Sequence, residues 1–565
     1  MKTETIQDNI FNKFKHVIKR MPIIYRPMRR WRQNYLTEKD ARELDNSLKT
    51  FMQIEKQVRE HEKKHALQGN PIVLMNVSSR ITDMSFNAAT ELLLGWALRL
   101  DGQKVIYMKC DHGLPHCHMG TSWQQPYVPP PCKDCQKISN RIYPQHLCRE
   151  IRKWDKQYDD DLVRWLAVLE KTEVYDLKNV CFEDLKLGEL VWPSLKWSFR
   201  MGNPARDPAS AWFMARYIVG AAQLSRDFKG LIGREHPRAV VVFNGISYPE
   251  AVISIIARQH GIPVITYETG YLEGSIFFSH EQATKYEVDI PDTFRMGDLQ
   301  ENELSEYLSR RFQGNFTMAG VKFWQDIKGI EPELLNKISA FKQVVPVYTN
   351  VIFDTSQEHA NASFNNMFEW LESTMQITRD YPDTLFIVRA HPDEARDNKT
   401  SREPVSQWMQ DNGWLMNKNI HFIGPSDYVS SYELIKLAKF VLIYNSRIGL
   451  EAAMLGKTVV SGGLTGYQNS GAVIFPDRPE TYKKQTIELL VADSIAEDAQ
   501  RIINARRHYY YTMFCSCMRL GSYLGTAPSV SKLGFTDINK ITPKNSKEID
   551  IILRGILDNQ PFTYC

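Results

Sequence analysis

The sequence predicts a mixed α/β protein: two Rossmann-like domains facing each other across a central cleft, with an N-terminal helical extension and a C-terminal helical tail. Two stretches carry most of that prediction. Residues 383–394 (DTLFIVRAHPDE) and 440–460 (FVLIYNSRIGLEAAMLGKTVV) each begin as a short apolar run and stop abruptly at polar residues. Runs of this length, rich in Ile, Val, Leu and Phe, read as strands buried on both faces, as in a parallel sheet. Ligands of open α/β sheets sit in the crevice beyond the C-terminal ends of such strands. The third observation is size, since 565 residues exceed what one hydrophobic core supports.

Residues 1–69 form the extension. Residues 1–35 carry a net charge of +7, while the other 530 residues sum to −3, so the overall +4 is an N-terminal property and does not describe a nucleic-acid binder. Apolar residues at 10, 14, 17, 18 and 21 recur with helical spacing until Pro22 and Pro27 interrupt them. Such a basic amphipathic segment either lies on an anionic membrane surface or docks its apolar stripe on the protein itself. The start lacks the apolar core of a secretory signal, and no apolar run reaches the roughly 18–20 residues that cross a bilayer. The expectation is therefore a cytoplasmic protein, or one peripheral to the inner membrane face, with its nine cysteines as reduced thiols.

Residues 70–340 read as the first Rossmann-like domain, holding the acceptor. A strand at 71–77, a helix at 85–100 and a strand at 104–109 make a βαβ opening with short connections. A Cys-rich insertion at 110–150 follows, then a mainly helical stretch at 155–230. The domain continues with a strand at 238–243, a helix at 249–260 and a strand at 263–267 that ends at Glu268-Thr269-Gly270. A loop-rich stretch containing Pro291, Gly297 and Gly314 leads to helical residues 316–342.

Residues 341–492 read as the second Rossmann-like domain, holding the nucleotide sugar. Strands are expected at 344–348, 384–388, 421–423 and 440–444, with helices at 361–379 and 428–438. The tail, 493–565, reads as helical with an aromatic cluster at 508–514, and a late helix crosses back to the first domain. Two α/β domains in this arrangement are the architecture of the GT-B glycosyltransferases and of the sugar epimerases built like them.

The chemistry is expected at the strand ends. After the strand at 440–444 come Asn445, Ser446 and Arg447, with Ser446 opening a helix. Backbone N–H groups at a helix N-terminus suit a phosphate, and Arg447 adds a cation. Glu451, about one turn on, is placed to accept hydrogen bonds from a ribose diol; the alternative is an ordinary strand–helix–strand unit with a solvated Glu. Arg389 and His391 end the strand at 384–388, and both can donate to a phosphate leaving group as the sugar bond breaks. The alternative there is a capping His with Arg in a surface pair. Glu268 faces the cleft from the first domain as a general base for an acceptor hydroxyl, or else is a structural Glu paired with a nearby Arg or His. Ser78, Ser79, Arg80 and Asn244 are further acceptor-side candidates.

Five cysteines fall within 110–148. Cys132 and Cys135 form a C-x2-C knuckle that Cys110 and Cys117 complete as a four-thiolate structural zinc site, with His112, His116 and His118 as alternative ligands. Other readings are an iron–sulfur cluster, or a set of buried thiols with one redox-prone pair.

These residues resemble a family. The tract Tyr348-Thr349-Asn350-Val351 with Asp354, then Trp370, then residues 389–394 (RAHPDE), residues 445–457 (NSRIGLEAAMLGK), and Gly462-Gly463 followed by Tyr467 are similar to the capsule polysaccharide biosynthesis glycosyltransferases. That family includes transferases using CMP-activated sugars. The resemblance spans roughly 235–480 and is weaker in the opening βαβ unit. In bacterial sialyl- and polysialyltransferases an acidic-x-Gly motif supplies the base and a His-Pro motif contacts the nucleotide phosphate. Glu268-Thr269-Gly270 and His391-Pro392 match these in kind and order, although Thr269 stands where the family often has a second acidic residue. The resemblance implies a nucleotide-sugar donor with CMP favoured over UDP and GDP, a polysaccharide or lipid-linked acceptor, and no metal cofactor for catalysis. Competing readings are a CDP-glycerol-type phosphotransferase or a nucleotide-sugar epimerase on the same fold, and a non-catalytic scaffold of polysaccharide assembly.

Overall fold

The computed structural model describes residues 45–46, 48–76, 84–118, 122–152, 159–314, 329–396, 399–427, 429–527, 530 and 532–565. The basic segment 1–35, with the membrane reading attached to it, and the candidates Ser78, Ser79 and Arg80 lie outside the described residues.

Two sheets organise the chain. The first contains β1 (Gln68–Met75), β2 (Gln103–Cys110), β3 (Cys148–Ile151), β4 (Ala239–Phe243), β5 (Val264–Thr269) and β6 (Ser275–Ser279). The second contains β7 (Gln343–Tyr348), β8 (Thr384–Arg389), β9 (Ile420–Ile423), β10 (Val441–Ile443) and β11 (Val459–Ser461). The last strand, β12 (Cys517–Arg519), returns to the first sheet, whose order is β12-β6-β5-β4-β1-β2-β3; the second runs β11-β10-β7-β8-β9. Every pairing among β1–β5 and among β7–β11 is parallel, while β6 and β12 add antiparallel strands at one edge of the first sheet.

The central residues of β1, β2, β4, β7 and β8 are apolar because both faces are covered there. Alternate residues of β1 serve opposite cores: Ile72 and Leu74 enter one cluster, Val73 and Met75 the other. In β8, Phe386 and Val388 face one core of the second sheet and Leu385 and Ile387 the other. The helix Phe86–Leu100 connects β1 to β2 and is capped by Ser85, whose hydroxyl accepts from the Ala88 N–H at 3.1 Å. Helical residues 48–62 pack on it through Leu48, Phe51, Ile54 and Val58, and the buried Arg99 binds Glu55 and Glu62.

Chain order reverses beside β1 in the first sheet and beside β7 in the second. At such switch points the loops after adjacent strands leave in opposite directions and open a crevice. Asn244 follows β4 at one switch; Asn350 and Asn445, after β7 and β10, sit at the other. Asn244 and Asn445 both adopt positive φ, +62° and +43°, a conformation Asn tolerates better than most residues.

Three expectations need correction. The stretch expected to be loop-rich contains β6 and the 15-residue helix Asp298–Phe312, in which Leu304, Leu308 and Arg311 are buried at helical spacing. The tail is not uniformly helical. The helix Ala499–Tyr510 and the following π-helical turn Tyr511–Cys515 pack beside the second sheet, and the chain then forms β12 and the helix Lys547–Asp558 against the first. Nor are all the cysteines thiols. Cys515 and Cys565 are joined in a disulfide with Cα atoms 5.5 Å apart, brought together by the Tyr564 N–H, which donates to the Cys515 carbonyl at 2.9 Å.

Candidate active site

A cleft of about 1140 Å³ lies between the two sheets, and residues from both domains and from the tail line it. The facing surfaces are tied together at one end. Lys196 pairs with Glu358 at 2.5 Å, Arg402 pairs with Asp207 at 2.8 Å, and the Glu403 carboxylate accepts from the Gly202 N–H at 2.7 Å. On the other side Thr284 and His359 share a hydrogen bond of 2.9 Å.

Glu268 is the penultimate residue of β5, inside the strand and not just after it as the sequence suggests, and its half-buried side chain lines the cleft. The Asn244 amide donates to Oε2 at 2.6 Å and the Thr269 N–H to Oε1 at 2.8 Å. Asn244 is itself fixed, because its Oδ1 accepts from the Ile246 N–H. Asn244 thus orients the carboxylate from the neighbouring strand end. Burial raises the Glu268 pKa, and repulsion from Asp354 adds to it; the Thr269 N–H, the Asn244 amide and Lys399 oppose the shift. Asp354 and Lys399 belong to the second domain, so the carboxyl's proton affinity depends on both domains.

His391 lines the cleft from the end of β8. Its Nδ1 accepts from the Asp393 N–H at 3.2 Å, capping the short helical turn Pro392–Ala395. That bond assigns the proton to Nε2, leaving a neutral imidazole with one N–H donor. Burial lowers its pKa, opposed by Asp393 and Asp354. Asp354 and Lys399 act electrostatically on both Glu268 and His391, and all four line the cleft. The sequence reading named neither Asp354 nor Lys399 as a site residue, although Asp354 belonged to the tract that carried the family resemblance. Arg389 is buried at 3 % exposure, with Nη2 donating to the Asp427 carbonyl at 3.4 Å.

The helix expected to open at Ser446 begins later. It spans Ile448–Met454, Arg447 occupies the cap position, and no side chain caps it. Asn445 turns the chain away before the helix can start: its Oδ1 accepts from Asn350 and Gln357 at 2.8 and 3.0 Å. The phosphate argument from a Ser-capped N-terminus does not hold here, and the cation beside it becomes the stronger feature. Arg447 stacks over the Tyr271 ring, which itself stacks on Tyr286 at 4.2 Å. Its Nη1 donates to the Met513 sulfur at 3.4 Å, and its Nη2 has no hydrogen-bond partner among the described residues. Burial pulls the Arg447 pKa down to about 10, so it stays cationic at neutral pH. Met513 lies in the π-helical turn and His508 just before it, so the tail helps to line the cleft.

Glu451 is neither solvated nor open. At 2 % exposure its Oε1 accepts from Arg311 Nε at 2.7 Å and its Oε2 from the Tyr432 hydroxyl at 2.9 Å. Arg311 sits on the helix Asp298–Phe312, 140 residues away in sequence. The ion pair lies in the wall of the cleft.

The cysteine insertion holds the four residues read as a zinc site. Cys110, Cys117, Cys132 and Cys135 are free thiols. Among the described residues no group of three or more His, Cys, Asp or Glu side chains is arranged to hold a metal ion. No helix of the described residues is long and apolar enough to cross a membrane.

No family model matches the chain. FixF of Sinorhizobium fredii is 23% identical over 307 residues, which is 53% of this chain and 66% of that protein. A curated protein of Ralstonia solanacearum, named Probable UDP-N-acetylglucosamine 2-epimerase, is 29% identical over 149 residues, 26% of this chain and 34% of that protein. The chain thus spans just under two thirds of one curated relative and about one third of the other. Among solved structures, the KpsC beta Kdo 2,4 transferase of Thermosulfurimonas dismutans is similar with a TM-score of 0.35 and 13% identity, covering 54% of this chain and 88% of that one. A UDP-GlcNAc 2-epimerase of Methanocaldococcus jannaschii is similar with a TM-score of 0.24 and 13% identity, covering 77% and 97%.

Proposed function

We propose that this protein is a metal-independent glycosyltransferase that moves a sugar from a nucleotide-sugar donor to a surface (capsular) polysaccharide or its lipid-linked precursor. The observation that carries the reading is the pairing across the cleft. Glu268, oriented by Asn244, faces the second domain, and its carboxyl is influenced by the same Asp354 and Lys399 that influence His391. Glu268 takes the proton of the acceptor hydroxyl as the oxygen attacks the anomeric carbon. The bond from that carbon to the phosphate oxygen breaks, and the nucleotide leaves with the electron pair. His391 Nε2–H, Lys399 and Arg447 supply donors and positive charge for the departing phosphate. CMP is the proposed donor nucleotide, supported by the Glu268-Thr269-Gly270 and His391-Pro392 motifs.

The direct test is sugar transfer from a panel of nucleotide sugars to an acceptor, with release of free nucleotide as the readout. Nucleotide release that requires the acceptor supports the reading. A second reading is a nucleotide-sugar epimerase, favoured by the 149 residues that are 29% identical to the Ralstonia protein. An epimerase converts the donor with no acceptor present, so a changed sugar in the acceptor-free control would replace the first reading.

The basic segment 1–35 is proposed to hold the enzyme at an anionic membrane surface near its acceptor. Deleting it is expected to abolish sedimentation with anionic vesicles at low salt while leaving turnover on a soluble acceptor intact. Unchanged sedimentation would remove the membrane from the account.

A further inference from the structure

The hairpin turn between β5 and β6 carries a side chain of the first domain onto a cation of the second. Glu268 and Thr269 are the last residues of β5, and residues 270–274 turn the chain into β6. The turn is tight. The Gly270 N–H donates to the Ser275 carbonyl at 2.8 Å, and the Ser275 N–H and hydroxyl both donate to the Leu272 carbonyl, at 3.1 and 2.7 Å. A Cβ on Gly270 would collide with the Ser275 hydroxyl that closes the turn, which gives the glycine of the Glu268-Thr269-Gly270 motif a physical reason. What the turn presents is Tyr271, which lines the cleft. Its ring stacks on Tyr286 with planes 25° apart, and Tyr286 is fixed in turn, packing on Phe277 of β6 and donating its hydroxyl to the Thr269 carbonyl at 2.7 Å. The same Tyr271 ring lies against the Arg447 guanidinium of the second domain. Beside this stack the two backbones come into contact, since a Cβ on Gly466 would collide with the Lys285 carbonyl.

Arg447 is held by soft partners. Among the described residues its hydrogen bond is the one from Nη1 to the Met513 sulfur, and Nη2 is shielded from water without a partner. Glu451, the acid four residues on, is occupied by Arg311 and Tyr432. A buried donor with no partner in a native fold calls for an explanation, and a ligand oxygen is one. A guanidinium stacked on a ring keeps its in-plane N–H groups for an oxyanion. We infer that Tyr271 is a positioning residue of the donor site: it holds Arg447 where the guanidinium meets the phosphate of the nucleotide, so that the first domain completes a phosphate seat belonging to the second. The inference rests on the transferase reading for the identity of the anion, and on the Tyr286–Tyr271–Arg447 stack for the placement of the cation. Without the ring the cation remains, but its long side chain must be ordered when the ligand binds, and affinity falls. Glu268 and Tyr271 stand on one turn, so the acceptor base and the donor cation are set by the same piece of chain.

The test is isothermal titration calorimetry of the full chain with CMP, CDP, UDP and GDP, then a double-mutant cycle with the nucleotide that the native protein binds most tightly. Tyr271→Leu should raise its Kd about tenfold, and Tyr271→Phe, which keeps the ring, should stay within about twofold of native. Arg447→Gln should weaken binding at least as much as Tyr271→Leu. In the Arg447→Gln background Tyr271→Leu should change Kd by less than about twofold, because the group it positions is gone. A ring that touched the nucleotide itself, or served the fold alone, would keep its effect there. Native-like affinity of Tyr271→Leu or of Arg447→Gln, failure of Tyr271→Phe to restore binding, or an undiminished loss in the Arg447→Gln background would overturn this inference and leave the transferase reading standing. Binding of none of the four nucleotides by the native protein would overturn the transferase reading, and this inference with it.

Discussion

Glu268→Gln is expected to lower kcat by about 10²–10⁴-fold, the range by which a positioned general base contributes, with little change in donor binding. Gln keeps the shape and its one carbonyl oxygen can still accept from the Thr269 N–H, at the loss of the hydrogen bond from Asn244, so the fold should be unaffected. The pH dependence provides the sharper signature. The Glu268 carboxyl sits above the ordinary carboxylate range, chiefly through burial. It accepts the acceptor proton only when ionised, so kcat/KM should rise with pH through that raised value and level off above it. Asn244→Ala removes a hydrogen bond that favours the ionised form, and so should move this limb to higher pH. A native-like rate for Glu268→Gln, or a profile with no acid limb, would assign the base elsewhere.

Glu451→Ala should be among the most destabilising single changes in the chain. It leaves Arg311 charged and buried beside Tyr307, Tyr432 and Tyr509, and loss of one partner of a buried pair costs about 3–5 kcal/mol. Replacing both partners, as in Glu451→Leu with Arg311→Met, should recover much of that loss, because no uncompensated charge remains. Urea unfolding of native, single and double variants reads this directly. A single variant within about 0.5 kcal/mol of native, the range of ordinary surface changes, would show that the pair does not lock the helix Asp298–Phe312 onto the second domain. The ion pair also bears on the ribose role read for Glu451 in the sequence. Both carboxylate oxygens already accept hydrogen bonds within the protein, so loss of nucleotide binding in a Glu451 variant would mix unfolding with ligand loss. His391 and Arg447 report on the nucleotide more cleanly.

The parallel strands were legible because burial on both faces leaves one unmistakable mark, an uninterrupted apolar run. Each of β1, β4, β7 and β8 contains such a run, and the polar residues that follow β4, β7 and β8 stand at the cleft. What was not legible depends on distant partners. Strand β12 is three residues long and exists because β6 offers an edge, some 240 residues earlier in the chain. The helix Asp298–Phe312 is dominated by polar residues, and only the stripe of Leu304, Leu308 and Phe312 marked it. Its Arg311, the partner of Glu451, carries no local sign of that role. The Ser446 cap failed for a local reason instead. Asn445 adopts positive φ and is held by Asn350 and Gln357, which moves the cap one residue on, from Ser446 to Arg447.

The central claim is that the cleft binds a nucleotide through the second domain's strand ends. It is tested most directly by the thermal stability of the native protein and of His391→Ala against CMP, CDP, UDP and GDP. A ligand at about 100 times its Kd stabilises by about 2.7 kcal/mol, a readily measured shift. The account predicts that one base class, led by CMP, raises the melting temperature of the native protein and that His391→Ala loses most of the gain. No shift with any of the four nucleotides, or an equal shift in the variant, would contradict it.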